Sequence, residues 1–300
     1  MLRWLVLAFW LTGTPSFGQN ASRIYTDLQA NALKTALLSE ADNKVRAFFA
    51  DQFDQRITAT VILVGTSDPD ILNEHLMKAL TDLGRRQRTS PIDGAKLCDN
   101  KKIGAAANRP YIVMCWRKPK VYDDRWRVLT GQKLAPILAH EFTHQLQYDL
   151  AGDDPAQRIA GTKKLLLGPS WMIEGSAEVF EQMYAVQIQG KDADDDAAQS
   201  LFNMQSPARR SRLTLSDLTP TGSTKGRGAY GTARFAAYLL ARRNGPQALF
   251  QYFEILGQAK DRDIAFEQVF GLTFKAYETN FERVRRDFAA ATEFAAGETQ

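Results

Sequence analysis

Two histidines and a glutamate in the pentapeptide HEFTH, residues 140–144, are the side chains best suited to chemistry in this sequence. The surrounding segment predicts a helix, on which residues i and i+4 lie one above the other. His140 and His144 can therefore reach one metal ion at about 2.0 to 2.1 Å, the usual zinc–nitrogen distance. Glu141 is rotated by about 100° from His140, which places it to accept a proton from water activated by the metal. The pentapeptide predicts a zinc site with Glu141 as general base.

A chance pair of histidines is the simpler alternative. The chain contains only three histidines, so this spacing, with Glu in the second position, rarely arises by accident. The remaining one, His75, is expected to be a surface or packing residue on another helix.

Catalytic zinc commonly takes two histidines and one glutamate, so a further ligand is expected. In the segment PSWMIEGSAEVFE, residues 169–181, Pro-Ser marks a helix start and Glu174 falls in the first turn. Glu178 lies one turn later and is predicted to accept the free N–H of a ligand histidine. Alternatively, Glu178 is a solvent-exposed residue on the helix surface, and this is what we expect for Glu181. Gly175 costs a helix about 1 kcal/mol, which indicates a close approach of backbones or a metal.

Together these motifs resemble the gluzincin metallopeptidases, in particular compact domains with HExxH followed by W-x-x-E-G-x-A-x-x-x-E. The stretches YGTARFAAYLLARRNG and FEQVFGLTFKAYETNFERV, residues 230–245 and 266–284, are similar to the same domains. The resemblance extends over about residues 130–288. It implies a thermolysin-like (zincin) fold, a peptide or protein substrate, and one zinc ion per chain, with His140, His144 and Glu174 as ligands.

Gluzincins often stabilise the oxyanion of the reaction with a Tyr or His from the helical part of the domain. No histidine follows His144, so the resemblance implies Tyr230 for this role, with Arg227 and Arg234 as alternatives. Packing in the interface between the two lobes is the other interpretation of Tyr230. Peptide substrates of the family lie along an edge strand above the metal helix. Residues 111–116 are a candidate for that strand, although their apolar content equally fits an internal strand.

The fold predicted from the residue pattern is α+β and helix-rich. Residues 56–65 and 111–116 predict strands, and residues 22–54 and 68–83 predict helices. From residue 131 onwards the pattern is almost wholly helical, with helices expected at 132–150, 170–189, 229–243, 246–258 and 273–288. We therefore expect a small mixed β lobe (19–130), a helical lobe (131–290) with the metal site between them, and a C-terminal tail (291–300).

The first 18 residues predict a signal peptide. Arg3 supplies the positive charge, residues 5–11 are apolar, and Ser16 and Gly18 form a cleavage site. The apolar run is too short to span a membrane, so the mature protein is expected in the periplasm or the medium. Export permits a disulfide between Cys98 and Cys115, but two free thiols fit the sequence as well.

Charge patterning argues against a nucleic-acid partner. The net charge is +4, and the basic residues are scattered among acidic ones instead of forming a stripe. The predicted function is an extracytoplasmic zinc metallopeptidase. The alternative is an inactive peptidase-like domain of the cell envelope that binds zinc or serves as a scaffold. The sequence predicts neither the cleavage specificity nor the oligomeric state.

Overall fold

The helix-rich α+β architecture with a small mixed sheet is confirmed in a computed structural model, which describes residues 22–82, 84, 92–98, 103–152, 168–188, 190, 197–220, 222–225 and 228–297. The predicted signal peptide and Arg227 lie outside the described residues. Within them, no helix combines the length and apolar character needed to cross a membrane.

Four strands form one sheet in the order β1-β2-β4-β3. They are β1 (Arg23–Thr26), β2 (Ile62–Thr66), β3 (Gly104–Asn108) and β4 (Tyr111–Cys115). The first three in the order are parallel, whereas β3 runs antiparallel to β4, with Gly104 opposite Cys115 and Asn108 opposite Tyr111. Every residue of β2 and β4 is buried, as expected of parallel strands covered on both faces.

The position of β4 decides between the two interpretations of residues 111–116. They form an internal strand and not the edge strand, because β4 lies between β2 and β3 and is hydrogen-bonded on both sides. The antiparallel edge beside it is β3, whose sequence GAAAN has little intrinsic preference for a strand. Pairing with β4, a tertiary effect, makes this segment extended.

Eleven α-helices occur in the described residues, together with a 3-10 turn at Ser216–Leu218. They are α1 (Asn31–Phe53), α2 (Pro69–Asp82), α3 (Gly94–Leu97), α4 (Asp124–Ala151), α5 (Ser170–Gln187), α6 (Ala197–Arg210), α7 (Ala229–Asn244), α8 (Gln247–Ala259), α9 (Arg262–Phe270), α10 (Phe274–Val284) and α11 (Phe288–Ala295).

One continuous core joins the two predicted lobes. The helices α1 and α4 pack together, and their buried side chains continue the core formed by α5 to α11. A smaller apolar cluster lies between the sheet and α2 on the other side. The predicted lobe boundary at residues 130 and 131 falls inside α4, which begins earlier because the Asp123 carboxylate accepts a hydrogen bond from the Trp126 N–H and caps the helix.

Several predicted boundaries differ from the structure for local reasons. The helix expected at 273–288 is two helices, because Asp287 caps α11 with hydrogen bonds from Ala289 and Ala290. Residues 291–295, assigned to the tail, belong to α11, where Ala291 and Phe294 are buried. Residues 23–26, predicted as part of a helix, form the strand β1, and the strand β3 and the helices α3, α6 and α9 were not anticipated.

Cys98 and Cys115 are joined by a disulfide. The bridge links the end of α3 to the last residue of β4, which pairs with the first residue of β3. It spans a sequence separation of 17 residues. Closing a loop of this length contributes about 3 kcal/mol, chiefly by constraining the unfolded chain. The disulfide thus ties the end of α3 to the sheet.

Gly175 allows α5 and α7 to approach closely, as the sequence indicated. A Cβ at this position would lie 2.2 Å from the Ala233 carbonyl oxygen and 3.1 Å from the Ala237 Cβ. The first distance is far below van der Waals contact, and a backbone carbonyl inside a helix cannot turn away. Any side chain at residue 175 therefore forces the two helices apart.

We expect Gly175→Ala to lower the free energy of unfolding by about 2 kcal/mol. Overpacking costs about 1 to 3 kcal/mol, and backbone overlap places this site near the top of that range, above the roughly 1 kcal/mol gained in helix propensity. Urea unfolding followed by circular dichroism measures the change. Gly131→Ala is the control, because its Cβ would meet the end of one side chain, the Leu37 Cδ1 at 3.3 Å, and no backbone atom. Equal stability of the two variants would contradict the packing argument.

Candidate metal centre

The side chains of His140, His144 and Glu174 converge at the crossing of α4 and α5. The Glu174 Oε2 lies 3.6 Å from the His140 Nε2 and 3.7 Å from the His144 Nε2. One ligand atom from each residue lies within 4.8 Å of the other two. Helical spacing aligns the two histidines on α4, and the packing of α5 against α4 places Glu174 opposite them. These three residues form a candidate metal-binding site.

Both histidines are held by hydrogen bonds at the ring nitrogen that faces away from Glu174. The His140 Nδ1 lies 3.1 Å from the Glu181 Oε2, and the His144 Nδ1 lies 2.9 Å from the Gln147 Oε1. Gln147 is itself fixed, because its amide donates to the Ile173 carbonyl at 2.9 Å. With Nδ1 protonated on both rings, the Nε2 lone pairs remain available to a metal.

Glu178 is not the residue that accepts the N–H of His140; Glu181 is. The Glu178 Oε2 is instead 3.5 Å from the Arg234 Nη1 on α7. Glu178 still belongs to the surrounding cluster, because one of its oxygens lies within 4.8 Å of ligand atoms of His140 and Glu181. A glutamate carboxylate does face the His140 Nδ1, but it belongs to Glu181, which lies about one helical turn after the predicted Glu178.

Glu141 is buried beside the edge strand. Burial raises the pKa of its carboxyl to about 7, against the attraction of His140, and the Ala107 backbone N–H on β3 donates a hydrogen bond that favours the carboxylate. A carboxyl with a pKa near neutrality is suited to taking up and releasing a proton. Its contact with β3 places the carboxyl between the histidines and the sheet edge.

Electrostatics in this cluster favour a cation. Burial lowers the pKa of His140, but the neighbouring carboxylates of Glu174 and Glu181 outweigh burial and hold that pKa well above its usual value. Burial raises the pKa of Glu174, yet His140 and His144 bring it below its usual value. In His144 burial prevails and lowers the pKa. Carboxylates that stabilise a proton here would equally stabilise a metal ion.

Tyr230 lies within the electrostatic field of the same carboxylates, at the start of α7. Partial burial, followed by the charges of Glu174, Glu141 and Glu178, raises the pKa of its phenol to about 12. The hydroxyl therefore stays protonated at neutral pH and can donate a hydrogen bond. The residue remains 43% exposed, which does not fit the alternative of a tyrosine packed in the interface between the lobes.

Sequence reasoning missed Glu181 and Gln147 as supports of the histidines. The sequence did contain an indication for Glu181, because this residue is the last glutamate of the W-x-x-E-G-x-A-x-x-x-E motif. Gln147 lies three residues after His144 on the same helix, a spacing at which side chains meet, but glutamine at such a position is too common to stand out. His75 lies on α2, away from the cluster, as expected.

We expect Glu181→Gln to weaken metal binding by about 10-fold to 100-fold, because a neutral amide holds the His140 N–H less strongly. Glu178→Gln is the matched control, since its carboxylate pairs with Arg234 and not with a histidine N–H. Competition with a chromogenic chelator measures both affinities. An equal loss of metal affinity in the two variants would show that the affinity depends on the negative charge near the site and not on the hydrogen bond to His140.

Comparison with known proteins gives no assignment. No protein-family model matches the chain, and no curated protein matches it significantly.

Proposed function

We propose that the protein is an extracytoplasmic zinc metallopeptidase with a thermolysin-like fold. The observation that carries the proposal is the convergence of two imidazole Nε2 atoms and one carboxylate oxygen beside the buried Glu141. Two histidines and one glutamate are a common catalytic zinc set, and a purely structural site has no need of an adjacent general base.

The spacing of the three ligand atoms supports zinc. Tetrahedral ligands at about 2.0 to 2.1 Å from zinc are separated from one another by about 3.4 Å. The two distances from the Glu174 oxygen, 3.6 and 3.7 Å, need only a small adjustment to meet this value. A magnesium or calcium site would be richer in oxygen ligands.

The edge strand β3 supports a peptide substrate. Within the described part of the chain, its outer edge pairs with no other strand, while the Ala107 N–H reaches Glu141. An extended peptide can add to such an edge by backbone hydrogen bonds. This arrangement would place a scissile carbonyl between Glu141 and the histidine pair.

The residues of this chain divide the work of hydrolysis as follows. Zinc, when bound, would lower the pKa of water to about 7 and polarise the carbonyl. Glu141 removes a proton from the attacking water and delivers it to the leaving amine. The Tyr230 hydroxyl donates a hydrogen bond to the developing oxyanion. Glu181 and Gln147 keep the two imidazoles oriented throughout.

Export is supported by the disulfide between Cys98 and Cys115, since such bonds persist in oxidising compartments, and by the signal-like residues 1–18.

A peptide-library assay on the protein from residue 19 onwards tests the function. With zinc added we expect cleavage, detected by mass spectrometry, and we expect a chelator to abolish it and fresh zinc to restore it. Zinc binding without cleavage of any peptide would favour the inactive zinc-binding alternative. Cleavage that resists the chelator would place the activity elsewhere.

A further inference from the structure

The side-chain amide of Gln145 joins α4 to the hairpin formed by β3 and β4. Its Nε2 donates a hydrogen bond to the Asn108 carbonyl at 3.2 Å and another to the Tyr111 carbonyl at 3.3 Å. Asn108 is the last residue of β3 and Tyr111 is the first residue of β4, so one side chain holds both strands where the chain turns. Gln145 is only 3% exposed, so the protein and not water supplies the partners of its amide.

Two neighbouring contacts make Gln145 the middle member of a series along α4. Glu141, one turn before it, accepts a hydrogen bond from the Ala107 N–H. Asp149, one turn after it, has its Oδ1 3.0 Å from the Arg109 Nη2. Residues four apart on a helix lie on one face, so the three side chains meet three consecutive residues of the hairpin in order. The series sets the register of β3 against α4.

The strand β3 lacks strong restraints of its own. Its sequence GAAAN contains no large apolar side chain that would anchor it by packing, and glycine and alanine have little preference for strands. In the described part of the chain it is hydrogen-bonded to one strand only, β4. The bonds from Gln145 therefore supply a restraint that the sequence of β3 does not provide.

We propose that Gln145 is a positioning residue for peptide hydrolysis. Its two hydrogen bonds fix β3 against α4, and thereby fix a peptide bound along β3 relative to Glu141 and the histidine pair. The inference rests on the proposed peptidase function. Gln145 acts through the strand and takes no part in bond making. A misplacement of the reacting groups by about 1 Å can lower a rate by about 10²-fold, so a small shift of β3 is sufficient.

Gln145→Met tests this role, because methionine has a similar length and no N–H donor. The readout is the ratio of kcat/KM for two substrates with the same scissile bond, a long peptide that can pair along β3 and a blocked dipeptide that cannot. Wild type should favour the long peptide, since binding of remote residues raises the rate at the reacting centre. The variant should lower this ratio by about 10-fold to 100-fold and keep its zinc. An unchanged ratio, or loss of zinc, overturns the proposal.

Gln205→Met is the matched control. Gln205 is 2% exposed, and its amide donates to the Val284 carbonyl on α10 at 2.9 Å, so the same substitution removes a buried amide–carbonyl bond away from β3. A general loss of folded protein cancels in the ratio, and Gln205→Met should keep the wild-type value. An equal drop in both variants would make the role of Gln145 purely structural and overturn the proposal.

Failure of the peptidase function is distinguishable from failure of this inference. If wild type cleaves neither substrate, the peptidase proposal fails, and hydrogen–deuterium exchange followed by mass spectrometry measures the restraint on β3 directly. Faster exchange of residues 104–108 in Gln145→Met than in Gln205→Met supports the role of Gln145 in holding the strand. Equal exchange in the two variants overturns it.

Discussion

Glu141→Gln is expected to retain the metal and to lower kcat by about 10²-fold to 10⁴-fold, the usual contribution of a general base. The amide has nearly the shape of the carboxylate and can still contact the Ala107 region of β3, so the fold and the three ligands remain. It cannot accept the proton of the attacking water. The measurements are kcat on a peptide cleaved by wild type and zinc content by plasma mass spectrometry.

The matched control is Glu254→Gln, the same change at an exposed position on α8, which should leave both quantities unchanged. Wild-type turnover in Glu141→Gln would show that another group removes the proton. Loss of zinc in that variant would instead give Glu141 a part in metal binding.

His144→Ala is expected to take the zinc content from about one ion per chain to nearly none after dialysis, because one of the three protein ligands is removed. The loss should also abolish peptide cleavage. Two side chains then remain, His140 and Glu174, which are too few to hold zinc against a mild chelator. Plasma mass spectrometry of the dialysed proteins gives the content directly.

His75→Ala is the control for this experiment, since His75 is the one histidine outside the cluster. It should keep one zinc per chain. Far-ultraviolet circular dichroism of His144→Ala checks that the helices persist, because His144 is also hydrogen-bonded to Gln147. Full zinc content in a folded His144→Ala protein would place the metal site elsewhere.

The sequence by itself determined the chemistry of the candidate centre. HEFTH aligns two imidazoles because helix geometry is local, and the Pro-Ser start placed Glu174 one turn into the next helix. Gly175 also indicated a close helix crossing from local properties alone. A glycine within a helix lowers the stability of the helix, and close packing against a second helix can offset that loss. The predominance of helix and the presence of a small sheet also followed from residue periodicity.

Only the tertiary structure decided which groups surround those residues. At 100° per residue, Glu178 and Glu181 lie about 40° and 20° to either side of Glu174, so periodicity allows either one to meet His140. The angle at which α4 crosses α5 selects Glu181 and leaves Glu178 to Arg234. Likewise, GAAAN becomes the edge strand through pairing with β4. The helical or strand period determines in which direction each side chain of one element points. The position of a neighbouring element depends on side-chain packing throughout the core.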